Sequence, residues 1–222
     1  MLFQDRAEAG RFLAEKLGDF ANRPDVIVLA LPRGGLPVGF EVARALNAPL
    51  DVFLVRKLGM PGQEELAIGA IAMGGVRVLN YEVVRGMALT EETIEAVAAV
   101  ESRELERRER QYRGQRPEPQ LRGRTVVLVD DGLATGSTMR AAAAAIRKHG
   151  AAKLVVAVPV GPRSSCEELR AEADEVICGA TPEPFFAVGQ WYRQFPQISD
   201  DEVRELLERA AALQGERKRD AG

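Results

Sequence analysis

Histidine is almost absent from this chain of 222 residues; His149 is the only one. A metal centre built from imidazoles and a Ser-His-Asp hydrolytic machine are therefore not expected. His149 closes an alanine-rich stretch just before Gly150, a place that suits the negative end of a helix. Cysteine is nearly as scarce. Cys166 and Cys178 lack metal-ligand spacing and are expected as reduced, buried or chemically indifferent thiols. No apolar run approaches the roughly 18 residues of a membrane span. The opening M-L-F-Q-D-R-A-E carries acidic residues and no signal-peptide core, so a cytoplasmic protein with no membrane partner is expected. Long basic stretches are missing too. The net charge of −3 is spread over interspersed signs, which argues against a nucleic-acid partner. Neither the phosphate-binding pattern G-x-x-x-x-G-K-[ST] nor the dinucleotide fingerprint G-x-G-x-x-G occurs.

What is present alternates between apolar strands and amphipathic helices. Helical patterns cover residues 6–20 (Phe12, Leu13, Leu17 and Phe20 inward), 36–46, 90–113, 138–148, 163–172 and 199–213. Strand patterns cover 26–31, 51–55, 125–129, 153–160 and 175–178. Residues 66–72 and 76–79 read as a hairpin across Met73, Gly74 and Gly75. Thr90 is the expected cap of the charge-rich 90–113 helix, with Glu91 and Glu92 in its first turn. The mixed signs of that helix at i,i+4 spacing suggest a solvated arm or a dimer contact. Residues 113–124 read as a linker and 215–222 as a frayed tail. Such alternation implies one α/β domain with a parallel five-stranded sheet covered by helices on both faces. Ligands of such sheets sit beyond the carboxyl ends of the strands.

The segment Val126–Thr138, V-V-L-V-D-D-G-L-A-T-G-S-T, obeys that rule. Four apolar residues form a buried strand that ends in Asp130 and Asp131. A loop of Gly132, Leu133, Ala134, Thr135, Gly136, Ser137 and Thr138 then leads into a helix. Backbone N–H groups and the positive helix end make such a loop an anion cradle, to which the hydroxyls add donors. Two carboxylates would repel a triphosphate unless a metal intervened. Beside a monophosphate cradle they suit a sugar phosphate, accepting hydrogen bonds from its hydroxyls and contacting Mg²⁺.

These thirteen residues resemble the phosphoribosyl-pyrophosphate (PRPP) motif of type I phosphoribosyltransferases. The resemblance implies that fold, with a flexible loop or hairpin over 58–80 and a small hood. It assigns the ribose hydroxyls to Asp130 and Asp131 and the 5-phosphate to the loop through Thr138. Gly132 departs from the pattern, which has an aliphatic residue there. P-R-G-G (32–35) is a weak motif alone. In this context it resembles the family's pyrophosphate loop, and A-L-P-R-G-G-L-P-V-G-F-E-V-A is similar to that stretch in xanthine phosphoribosyltransferases. Arg33, Gly34 and Gly35, with Arg56 and Lys57 after the second strand, would hold pyrophosphate. Asp130, Asp131 and Lys57 are the candidate catalytic residues.

Residues 181–198 gather Phe185, Phe186, Trp191, Tyr192 and Phe195. They form either a satellite core under the last helix or a hood in which Phe186 or Trp191 stacks on a planar acceptor. The implied activity is Mg²⁺-dependent transfer of phosphoribose from PRPP to a small nitrogenous acceptor, expected to be a nucleobase, with release of pyrophosphate. Mg²⁺ would be held mainly through PRPP, with Asp130 and Asp131 as further donors. The family's common homodimer is expected. Ala134 stands where hypoxanthine-guanine and xanthine enzymes carry an aspartate, so the base itself stays unnamed. A silent PRPP-binding regulator and a pentose-phosphate hydrolase are the alternatives.

Overall fold

The computed structural model describes residues 2–220, the side chains at 64, 65 and 217–220 excepted. In chain order the elements are α1 (Arg6–Lys16), β1 (Val26–Ala30), α2 (Gly35–Leu46), β2 (Leu50–Val52), β3 (Val55–Met60), β4 (Gln63–Ala72), β5 (Val76–Leu79), α3 (Tyr81–Gly86), α4 (Glu91–Arg113), β6 (Thr125–Val129), α5 (Ser137–Lys148), β7 (Lys153–Val160), α6 (Arg163–Glu168), β8 (Glu175–Ala180) and α7 (Asp200–Asp220). The main sheet has five parallel strands in the order β2-β1-β6-β7-β8. Strands β3, β4 and β5 form a separate antiparallel sheet.

Side-chain alternation along the parallel strands builds two cores. Ile27, Leu29, Val126, Leu128, Leu154 and Val156 face α5, the β3–β4–β5 sheet and α4. Val26, Val28, Val127, Val129, Val155 and Ala157 face α1 and α2. Every residue of β1 and β6 is buried, as a sheet covered on both faces requires. The order places the carboxyl ends of β1 and β6 side by side, where Leu31 N–H donates to the Val129 carbonyl at 2.9 Å.

Several expectations need correction. The strand expected at 51–55 is two strands, broken at Phe53 and Leu54, and β3 runs to Met60, into the 58–80 stretch expected as a flexible loop or hairpin. The expected hairpin is therefore the latter part of a three-stranded sheet. The cysteines are not reduced: Cys166 on α6 and Cys178 on β8 form a disulfide. The chain brings their Cα atoms to 6.4 Å, within bridging range. Helix α4 is not a solvated arm. Ile94, Ala98, Leu105 and Tyr112 bury one face against β3 and α7. Its buried Arg113 pairs with Asp51 at 3.0 Å and Glu109 at 2.8 Å. Thr90 caps it as expected, accepting from Thr93 N–H. Helix α7 runs through residues 215–220, expected as a frayed tail; residues 221–222 lie outside the described residues.

His149 does more than complement a helix end. Its Nε2 lies 3.0 Å from the Met73 carbonyl, and its ring meets Phe53 edge-on. Gly74 has φ +72°, and a Cβ there would sit 2.7 Å from the imidazole Cε1. The histidine thus ties the β4–β5 turn to the end of α5. His149→Ala is expected to cost about 1–2 kcal/mol, read as a lower urea midpoint with faster amide exchange confined to β4–β5. An unchanged midpoint and unchanged exchange would remove this role.

Candidate active site

Asp130 and Asp131 follow β6, and the P-R-G-G turn follows β1. Close packing joins the two. A Cβ on Gly35 would stand 3.0 Å from the Asp130 Cα and the Val129 carbonyl, and one on Gly34 would collide with the Asp131 carboxylate. Only glycine lets this turn approach the aspartates. Asp130 Oδ1 accepts from Asp131 N–H at 2.8 Å. Asp131 Oδ2 accepts from Arg6 Nε at 2.8 Å, in a pair only 8% and 14% exposed. Arg6 Nη1 also donates to the Pro196 carbonyl at 2.8 Å, and its guanidinium lies 3.8 Å from the Phe195 ring centre. Tyr192 Oη donates to the Asp131 carbonyl.

Burial pushes the Asp130 carboxyl well above the usual carboxylate range, and the negative charge of Asp131 pushes it further. Burial also raises Asp131, against the opposing pull of Arg6. Two half-buried acids are thus held together with one buried cation, Arg6, beside them. Such a site gains from a ligand that supplies hydroxyl donors or positive charge.

The loop after the aspartates is fixed from below and open above. Leu133 is buried and donates its N–H to the Val160 carbonyl at 2.9 Å. Ser165 Oγ donates to the Ala134 carbonyl at 2.8 Å. Gly136 caps α5 at φ +71°, in the left-handed region that favours glycine. Ala134, Thr135, Ser137 and Thr138 are exposed, with the Thr135 and Ser137 hydroxyls 3.2 Å apart. The loop therefore presents hydroxyls and the first amides of a twelve-residue helix to solvent. The Gly132 departure also has an explanation. A Cβ there would collide with Val188 Cγ1, so a side chain from the 181–198 segment fills the space beside this residue.

The expected cations divide. Arg33 Nη1 lies 3.8 Å from Asp200 Oδ1 at the start of α7. Arg56 pairs with Glu101 of α4 at 2.7 Å and lines a small cavity with Pro32 and Thr138. Lys57, next along β3, is exposed. It lines another cavity of about 440 Å³ with Ser137, Thr138 and Arg140. Strand alternation thus sends the two cations to different cavities that meet at Thr138.

The aromatic segment is mostly a satellite core, packed against the N-terminus rather than under α7. Phe3 pairs with Tyr192 and Phe12. Trp191 stacks on Phe185 with ring centres 6.1 Å apart, and its Nε1 is buried with no hydrogen-bond partner among the described residues. Phe186 is 77% exposed.

A family model for the phosphoribosyl transferase domain matches residues 3–190. The chain belongs to this family. The Mycobacterium tuberculosis protein Rv0571c, which bears a provisional phosphoribosyl transferase name, is 54% identical over 209 residues, 94% of this chain and 47% of its own length. The chain thus spans about half the length of the curated relatives it matches. Among solved structures, TT1426 from Thermus thermophilus is 43% identical, with a TM-score of 0.84 over 93% of this chain and 98% of that one. AQ2163 from Aquifex aeolicus, 15% identical with a TM-score of 0.50 over 83% of this chain and 78% of that one, shares the fold. The α/β architecture with its parallel five-stranded sheet is that of the type I phosphoribosyltransferases.

Within this family fold, Arg6, Val188 and Asp200 stand at the site without having been singled out from the sequence, which marks Tyr192 only as one of the clustered aromatics. Arg6 had a usable signal. It shares a helical stripe with the buried Ala9, Leu13 and Leu17, and an arginine on an apolar stripe implies a buried anion. Val188 and Asp200 lie at helix starts, where no periodicity marks them. Among the described residues no cluster of three or more His, Cys, Asp or Glu could hold a metal alone. Asp130 and Asp131 are the oxygen donors nearest the loop, and one Asp131 oxygen is committed to Arg6. That donor set suits a hard cation that takes most of its oxygens from a ligand.

Proposed function

We propose that this chain transfers the 5-phosphoribosyl group of PRPP to a small nitrogenous acceptor, a nucleobase or similar ring, with release of pyrophosphate. The observation that carries this reading is the junction of β1 and β6. It places the aspartate pair, the hydroxyl-lined loop and the P-R-G-G turn against one another in a chain of this family.

The 5-phosphate would sit on the amides and hydroxyls of residues 133–138 at the start of α5. Asp130 and Asp131 would accept hydrogen bonds from the ribose hydroxyls. Arg33, the amides of Gly34 and Gly35, and Arg56 and Lys57 would hold pyrophosphate. The acceptor nitrogen lone pair forms a bond to the anomeric carbon as the bond to the pyrophosphate oxygen breaks. That electron pair leaves with pyrophosphate, and the acceptor's proton passes to solvent. Positive charge develops on the ribose between these events, and Asp130 and Asp131 would stabilise it. Mg²⁺, when bound, would neutralise the leaving group and take a donor from Asp130 or Asp131. Phe186, exposed beside the site's satellite core, is a platform for a planar acceptor.

A coupled assay tests the reading. Pyrophosphate release should require PRPP and one member of a panel of nucleobases together. Release without any acceptor would make the chain a hydrolase, and PRPP binding without release across the panel would make it a regulator.

A further inference from the structure

Helix α4 places arginines beside the proposed leaving-group site. Leu105, Arg108 and Tyr112 lie at i, i+3 and i+7, on one stripe of the helix. Leu105 and Tyr112 are buried, which fixes the roll of the helix and turns the stripe inward. Arg108 therefore lines the cavity that holds Pro32, Arg56 and Thr138. It also lines a neighbouring cavity of about 160 Å³, with Arg33, Arg107, Gln111, Tyr112 and Asp200. Its hydrogen bond to Glu104 is made through Nε at 2.8 Å. Arg107 is more fully engaged, with bonds to Glu104 at 2.7 and 2.9 Å and to Gln111 at 3.2 Å.

Three guanidiniums and one carboxylate, Asp200, line the larger cavity, while Glu104 outside the lining is shared by Arg107 and Arg108. Asp200 already accepts from Tyr112 at 2.6 Å and Gln111 at 2.8 Å, and it stands 3.8 Å from Arg33, too far for a tight hydrogen bond. With Glu104 counted, three cations still meet only two carboxylates, and they converge from the P-R-G-G turn and from α4. Exposed arginines paired along a helix, such as Arg110 with Glu106, do not meet a second cationic segment in this way.

We infer that Arg108, with Arg33, forms a diphosphate subsite at the end of β1, and that α4 is part of the substrate-binding surface. The inference rests on the phosphoribosyltransferase reading and adds to it a ligand-contacting residue from outside the sequence motifs. Arg108 would grip the pyrophosphate oxygens, with Arg107 supplying charge behind it. Asp200 would keep Arg33 turned toward the cavity until the ligand displaces it.

Calorimetric titration of PRPP, inorganic pyrophosphate and ribose 5-phosphate into the wild type, Arg108→Gln and Arg110→Gln tests this. Arg108→Gln is expected to weaken PRPP and pyrophosphate by about tenfold to a hundredfold, the loss typical of a charge-assisted contact, with ribose 5-phosphate unaffected. Arg110→Gln removes the same charge from the same helix outside both cavities and should leave all three affinities unchanged. If the wild type binds PRPP and Arg108→Gln binds it equally well, the subsite is overturned while the transferase reading stands. Equal weakening of ribose 5-phosphate, or an equal effect of Arg110→Gln, would also overturn it, the first as a fold defect and the second as a general charge effect. A wild type that binds no PRPP overturns both.

Discussion

Asp130→Asn is expected to abolish measurable PRPP binding while raising the thermal midpoint of the ligand-free protein. Asp130 is half-buried beside Asp131, and both desolvation and its neighbour's charge raise its carboxyl well above the usual range. A group with a raised folded-state pKa binds protons in the folded state at pH values where the unfolded chain has released them. Its contribution to stability is therefore present below the unfolded value, and is lost as pH rises through the folded one. At neutral pH the aspartate pair is an electrostatic cost to the ligand-free fold. The asparagine keeps an oxygen that can accept from Asp131 N–H, the bond now made by Asp130 Oδ1, and it removes the charge. Relief of about 1–2 kcal/mol is of the size seen at such sites. At about 2–4 °C per kcal/mol for a chain of this length, the midpoint should move by several degrees. The gain should be largest at neutral pH and shrink toward acid pH, where the wild-type carboxyl is already protonated. Scanning calorimetry across that range measures it. A variant less stable than the wild type at neutral pH, or one that keeps PRPP affinity, would contradict this view of the pair.

Gly132→Ala is expected to lose about 1–3 kcal/mol of stability through overpacking, together with most of the PRPP affinity, and Val188→Ala should restore both in part. Gly132 lies between the aspartates and the hydroxyl-lined loop, and Val188 occupies the space that its side chain would take. Val188 belongs to a segment tied to the N-terminus, where Phe3 N–H donates to the Trp191 carbonyl at 2.8 Å and Arg193 N–H to the Phe3 carbonyl at 2.8 Å. An added methyl group must therefore displace either that layer or the loop. Removal of two methyl groups from Val188 opens room for it. The double variant should be more stable than the sum of the single changes predicts, with a coupling of about 0.5–3 kcal/mol, as is usual for residues in contact. Denaturant titration of the four proteins gives the coupling directly. Strict additivity would show that the two side chains do not share this space.

Much of this is legible in the sequence because it depends on local rules. The apolar runs at 26–31 and 125–129 are buried on both faces, so composition alone marks them as strands. Asp130, Asp131 and the loop to Thr138 are contiguous, and strand order alone brings P-R-G-G beside them. Non-local pairing is less visible. Helix α4 reads as a solvated arm because its glutamates and arginines satisfy one another at i,i+4 spacing, while Leu105 and Tyr112 are widely separated among charges. The disulfide depends on how closely α6 and β8 approach, which spacing in sequence cannot give. The end of β3 reads as a loop because Gly59 interrupts it and Pro61 and Gly62 follow at once, whereas its partner β4 decides its conformation. Arg6 lies 125 residues from Asp131, and only its position on an apolar stripe hints at a buried anion.

Calorimetric titration of PRPP into the protein, with and without Mg²⁺, tests the central claim most directly. Micromolar binding that strengthens with Mg²⁺ is the predicted result, because the aspartate pair and the loop leave most of a cation's oxygens to the ligand. Absence of PRPP binding under both conditions would contradict it, and would assign the hydroxyl-lined loop to another phosphate.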